Sequence, residues 1–253
     1  MCCFSQPVVS VSATNIFARA DVQGRQFLVY SMSLEARNEL AMILPLPVRL
    51  PANEHDAEFI DLKAYPQFFA ELDRGFPKPP TRSSRFVTLG IREAPASALP
   101  VVTVGDFEAS FVPSVKDFSR LDERFRIDDN VWKKIPGYED YSFAVFKLKP
   151  GAMTIHPMAF SFPRRDSQSV FFPTVHIHDG KVHATADFDH SLYCQPRPDE
   201  QLSLHQWEES YTHAIGFMQV DKAKGIIMAD QHCNKLRLHG RLANRDTFLA
   251  VET

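Results

Sequence analysis

The longest apolar run near the start of the chain, Leu40 to Val48, is broken by Pro45 and Pro47. Proline fixes φ and removes a backbone donor, so this run cannot continue as a helix. It is also well short of the ~20 apolar residues a membrane-spanning helix requires. The segment A-M-I-L-P-L-P-V is therefore expected to be extended, at an edge or a bulge, where a missing donor breaks no ladder.

The flanking sequence repeats this theme. Val8 to Ser12, Asn15 to Ala20 and Gln26 to Ser33 read as strands, with Val22, Gln23 and Gly24 turning the chain between the last two. Gly105 and Asp106 supply a two-residue turn joining Val101–Val104 to Phe107–Val112. Tyr141–Leu148 and Met153–Phe162, separated by Lys149, Pro150 and Gly151, read as a further strand pair. Leu236–Leu242, Thr247–Val251 and a short run at Gly225–Met228 continue the pattern. With 21 Phe against 10 Gly, large aromatic side chains are available to cover sheet faces.

Helix is confined to short pieces. Pro66 suits a first helical position, Phe68, Phe69 and Leu72 recur at helical spacing, and Gly75 fits the stop. A second helix is expected over Leu204–His213, where Ser203 and Gln206 form a capping-box pattern and Leu204, Trp207 and Tyr211 share a face. Brief helical turns are expected at Asp117–Arg124 and Asn130–Lys134. The Pro/Ser-rich stretch 76–85 is the one internal connector. The fold class that results is α+β: a sheet-dominated single domain over residues 1–253, built from hairpins with a few short helices.

A net charge of -3 gives no global attraction for phosphates, so nucleic acid and anionic membranes are not expected partners. M-C-C-F-S-Q-P has neither a basic nor an apolar export region, so a cytoplasmic protein is expected, with Cys2, Cys3, Cys194 and Cys233 as thiols. The sequence contains no Gly-rich phosphate loop, G-x-S-x-G elbow, H-E-x-x-H or C-x-x-C.

Three patterns carry chemistry. Cys2 follows the initiator Met, and removal of that Met would leave a thiol and an α-amine on one residue. An α-amine ordinarily titrates at about 7.7–8.0, so it can act as base for the thiol. With Phe17, Arg19 and Asp21 in I-F-A-R-A-D, this opening resembles the N-terminal nucleophile hydrolases, particularly the choloylglycine hydrolase and penicillin acylase group. The resemblance covers about the first twenty residues. It implies hydrolysis of a small-molecule or peptide amide on a four-layer αββα fold, with no cofactor and with Arg19 and Asp21 orienting the amine and thiol. The same cysteines also fit a buried start to a strand, because free Cys behaves as a small hydrophobe.

The second pattern is T-V-H-I-H-D-G-K-V-H, in which Asp179-Gly180 is a favoured hairpin turn. That turn would oppose His176 to His183 and place His176, His178 and His183 on one face, a set able to hold zinc or another divalent metal. Asp187, Asp189, His190 and Cys194 follow closely enough to support such a site. A solvated polar face is the plainer alternative. The third pattern is a strand on which Lys235, Arg237, His239 and Arg241 alternate with Leu236, Leu238, Gly240 and Leu242. Arg237 and Arg241 could clamp a carboxylate or phosphate, or simply form a wet face. Together these patterns leave an N-terminal-cysteine amidohydrolase, a histidine-site metalloprotein and a non-catalytic binding or structural protein. Substrate and oligomeric state are not legible.

Overall fold

Period-two alternation in the first hundred residues produces two long strands, β2 (Ser10–Ala20) and β3 (Arg25–Ala36), joined by the turn at Val22–Gly24. The computed structural model describes residues 2–77, 101–104, 107–121, 123–126, 137–154, 156–178 and 181–252. The break between Ser12 and Asn15 is a bulge within β2, where Ala13 adopts φ 50° and its N–H donates to Asp189.

These strands sit in an eight-stranded sheet with β5 (Glu58–Asp61), β9 (Gly151–Thr154), β10 (Met158–Pro163), β13 (Thr185–Cys194), β14 (Glu208–Glu209) and β15 (Asn234–Ala243). The order is β14-β15-β13-β2-β3-β10-β5, with β9 also pairing β3. A six-stranded sheet contains β1 (Cys2–Phe4), β4 (Leu40–Leu46), β6 (Val101–Val104), β7 (Phe107–Val112), β8 (Ser142–Leu148) and β12 (His176–Ile177), in the order β12-β1-β4-β8-β7-β6. A separate ribbon pairs β11 (Ser169–Phe172) with β16 (Thr247–Ala250).

The larger core lies between the two main sheets. Ile16, Ala18, Leu28, Tyr30, Phe160 and Leu192 from one sheet meet Phe4, Met42, Leu44, Phe111 and Phe146 from the other. The opposite face of the eight-stranded sheet carries a second core, in which Phe17, Val29, Ala159 and Tyr193 pack under the one α-helix described, α1 (Phe68–Arg74), and under residues 214–233. Gly75, just past α1, is required by contact: a Cβ there would lie 2.6 Å from the Phe217 ring.

The sheet-dominated architecture with few short helices is as expected: it is mostly β, with one seven-residue α-helix and short 3-10 turns among the described residues, including Val115–Arg120 and Glu123–Phe125. Several other expectations are corrected by these pairings. The αββα arrangement implied by the hydrolase resemblance is not supported, because helix covers no second outer face among them. The proline-broken run became β4, an interior strand buried throughout. Pro45 is tolerated because β1 reaches only Met42 and Ile43, leaving β8 as the one strand paired at that point among the described residues. β8 and β10 do not form a hairpin: the chain crosses from one sheet to the other between them, and β10 pairs with β3 and β5.

Residues 204–213 form turns and the short β14 rather than a helix. Leu204 and Trp207 reach the large core while Tyr211 is 69% exposed, so the supposed common face is split. Gly225–Met228 is likewise a turn region rather than a strand. In the connector 76–85, Phe76 and Pro77 are described; Phe76 is a buried core residue, and the rest lies outside the described residues, as do Asn130–Lys134. Among the described residues no helix is long and apolar enough to cross a membrane.

Candidate functional site

Alternation along β2 decides the fate of the expected nucleophile apparatus. Ile16, Ala18 and Ala20 face the core shared with β1, whereas Phe17 belongs to the core on the far side of the sheet. Arg19 follows Phe17 by two positions and so projects to that far side. Its Nε donates to the carbonyl of Ile226 and its Nη2 to that of Gly225, both at 2.7 Å, and its guanidinium lies over the Phe27 ring. Burial pulls the Arg19 guanidinium below its ordinary value.

Asp21 closes the β2–β3 turn, where its Oδ1 accepts from the N–H groups of Gln23 and Arg25. Cys2 sits across the sandwich, its backbone in register with His176 in the parallel β1–β12 pair. Cys3 is fully buried against Ile43. The structure thus does not assemble Cys2, Arg19 and Asp21 into one site, because the eight-stranded sheet stands between Arg19 and β1.

The histidine hairpin is also rearranged. His176 pairs with Cys2 instead of His183, and the turn residues Asp179 and Gly180 lie outside the described residues. His183 is exposed, and its carbonyl accepts from Asn244 Nδ2. The strand after it, β13, pairs with β15 and β2 and turns Phe188 and His190 inward.

What results is a stack of rings bridging the two sheets. His176 Nε2 lies 3.1 Å from His190 Nε2, His178 stacks on His176 at 4.9 Å between centroids, and Phe188 stacks on it at 4.4 Å. Burial, reinforced by neighbouring positive charge, pushes His176 down to about 3 and His190 to about 2, so both rings are neutral near pH 7. Among the described residues no group of three His, Cys, Asp or Glu is placed to hold a metal ion. The metal reading of His176, His178 and His183 is corrected accordingly. Cys194, suggested as a supporting ligand, is buried in the core, and burial raises its thiol pKa well above the usual range.

The basic strand is a mixed, solvated face. Arg237, His239 and Arg241 are exposed on β15, opposite Ser191, Asp189 and Asp187 of β13. Neither arginine lines the clefts described below. Lys235 departs from the pattern: it is buried, pairs with Asp73, and lies over the Tyr193 and Phe76 rings.

A concave surface opens beside the imidazole stack. An open cleft of about 860 Å³ is walled by Val175, Ile177, Val182, Phe188, Leu238, Leu242 and Phe248. At its rim Asp246 is held by N–H donors from Thr174 and Val175 and by the Tyr138 hydroxyl, and burial raises its carboxyl pKa. Asn244 brackets His176, accepting its N–H at 2.7 Å and donating to its carbonyl at 2.9 Å. A second cleft of about 210 Å³, with Arg164, Arg165, Phe171 and Pro47 in its wall, adjoins the first. Tyr141 and Phe248 line both, and Phe248 is 51% exposed. Sequence reading missed Phe248, Tyr138 and Asp246, because their roles arise from contacts with distant segments that leave no local pattern.

No family model matches the sequence. Among solved structures the chain is similar to baculovirus P35, at 11% identity and a TM-score of 0.49, covering 96% of this chain and 97% of that one. It is similar at the same identity and TM-score to a caspase-8/P35 complex, over 95% of this chain and 96% of the other. A mutated baculovirus P35 after caspase cleavage is 14% identical with a TM-score of 0.48, covering 96% of this chain and 99% of that chain. At these values the likeness assigns neither a family nor an activity. The expected hydrolase and its small-molecule or peptide amide substrate are withdrawn on the separation of Arg19 from Cys2.

Proposed function

We propose that this chain is a non-catalytic binding protein that recognises another protein through the surface around Phe248. The observation that carries this reading is the half-exposed Phe248 ring standing between two clefts, with exposed Leu242 on the wall of the larger one. Large apolar side chains exposed together and flanked by polar groups mark interaction surfaces. Aromatic anchors commonly dominate the binding energy of such surfaces. The groups that would serve amide hydrolysis support the same reading from the other side, since Arg19 and Asp21 are occupied in backbone hydrogen bonds.

Site-specific photo-crosslinking tests the proposal. A photoreactive phenylalanine analogue placed at position 248 is expected to capture one predominant protein from extracts of the cells that express the chain. The same analogue at Val22, which is 80% exposed and lines neither cleft, serves as the control. Equal, unselective capture at both positions would overturn the reading. Caspase-8, the partner in one similar structure, is included as a defined test protein. With the captured protein purified, Phe248→Ala is expected to weaken binding about thirtyfold, close to 2 kcal/mol, measured by titration calorimetry.

A further inference from the structure

We infer that the His176–His190 contact is an acid-released latch between the two sheets, whose opening frees the segment Thr174–His178 and widens the adjoining cleft. The geometry supplies the reason. The two Nε2 atoms at 3.1 Å share one proton, so at least one ring must be neutral to accept it. His190 Nδ1 is buried and has no hydrogen-bond partner among the described residues, so a charge on that ring has nothing there to receive its second proton. Charging both rings replaces a hydrogen bond with two like charges in a covered space.

The segment that would open has little backbone pairing. β12 has two residues and, among the described residues, pairs with the three-residue β1 alone, at the end of its sheet. Val175 and Ile177 are buried in the larger core, and the polar tethers are Asn244 on His176, Asp246 on Thr174 and Val175, and Arg245 and Thr247 on Thr174. By contrast, β3 and β10 lie deep in the eight-stranded sheet, each paired on both sides.

The sign follows from linkage. Both imidazoles are held below the ordinary value of about 6.5, so the closed form stays neutral while the opened form takes up protons as the pH falls. Opening is disfavoured in full above pH ~6.5 and becomes easier by about tenfold per pH unit for each ring, a hundredfold for both. The other titratable groups acting on the joint are the N-terminal amine, His178, Asp246 and, bonded to Asp246, Tyr138. The amine and His178 both disfavour positive charge on the two rings. Asp246 acts the opposite way, because its raised carboxyl takes its proton first in the closed form, and at most it removes one tenfold step per unit near its own range.

Hydrogen exchange read by mass spectrometry, corrected for intrinsic rates, tests this on the full chain between pH 7 and pH 5. Protection of peptides covering residues 174–178 is expected to fall by up to about a hundredfold per pH unit, while peptides from β3 and β10 keep theirs. In His190→Gln, which retains a donor and an acceptor but does not titrate, the slope should drop to about tenfold. Protection at 174–178 that is independent of pH, or that is lost only in step with β3 and β10, would overturn the latch, and so would an unaltered slope in a folded His190→Gln protein. If that variant does not fold, the contrast between segments in the wild-type chain still decides the matter.

Discussion

Arg19→Met is expected to lower the stability of the folded protein by about 2–5 kcal/mol. Methionine keeps an aliphatic stem over Phe27 but removes the donors that satisfy the carbonyls of Gly225 and Ile226. Ile226 is fully buried, so its carbonyl would be left without a partner, and such groups cost about 1–3 kcal/mol each. Loss of the bonds also loosens the turn at Gly225–Ile226, within the segment 214–233 that covers the second core. Urea denaturation followed by circular dichroism measures the effect as a lower midpoint at an unchanged slope. A variant as stable as the wild-type chain would show that Arg19 does not hold this segment, and would reopen a chemical role for it.

Phe160→Ala is expected to cost about 3–5 kcal/mol, the range for deleting a large aromatic side chain from a packed core. Phe160 is fully buried on β10, with the rings of Phe59, Phe146 and Phe162 at 5.9, 5.9 and 6.2 Å. Phe146 belongs to the opposite sheet, so the Phe146–Phe160 pair reports on contact between the two layers. A double-mutant cycle with Phe146→Ala should give a coupling of about 0.5–1.5 kcal/mol. Additive losses would mean that the sheets do not meet at these rings.

The parts of the fold that could be read from the sequence are those written in neighbouring residues. The β2–β3 hairpin follows from alternation and the turn at Val22–Gly24, and β6 pairs with β7 as expected, though the turn residues 105 and 106 lie outside the described residues. α1 follows from Phe68, Phe69 and Leu72, while the two strands read at Val8–Ser12 and Asn15–Ala20 are one strand, β2 (Ser10–Ala20), with a bulge between Ser12 and Asn15. The parts that were misread depend on partners far along the chain. Asp179-Gly180 is a sound local hairpin signal, yet His176 pairs with Cys2, which no local pattern announces. The stripe over 204–213 was read as one helical face, but Trp207 packs on Phe172 while Tyr211 points to solvent.

The candidate site was less legible than the fold. His176 was identified as a residue of interest, but its partner became His190, fourteen positions along, because β13 pairs with β2 and β15 rather than with the strand before it. Arg19 and Asp21 form a short motif that can be satisfied in two ways. Chemistry would need both on the face shared with β1, and alternation along β2 sends Arg19 to the other face. Phe248 is one phenylalanine among 21, and only the packing distinguishes it from those that fill the cores.

Calorimetric titration of the protein captured at position 248 with the wild-type chain, Phe248→Ala and Cys2→Ser separates the binding account from the chemical one. The account predicts that Cys2→Ser binds as the wild-type chain does and that Phe248→Ala binds about thirtyfold more weakly. Binding that survives Phe248→Ala but is lost with the thiol would contradict it.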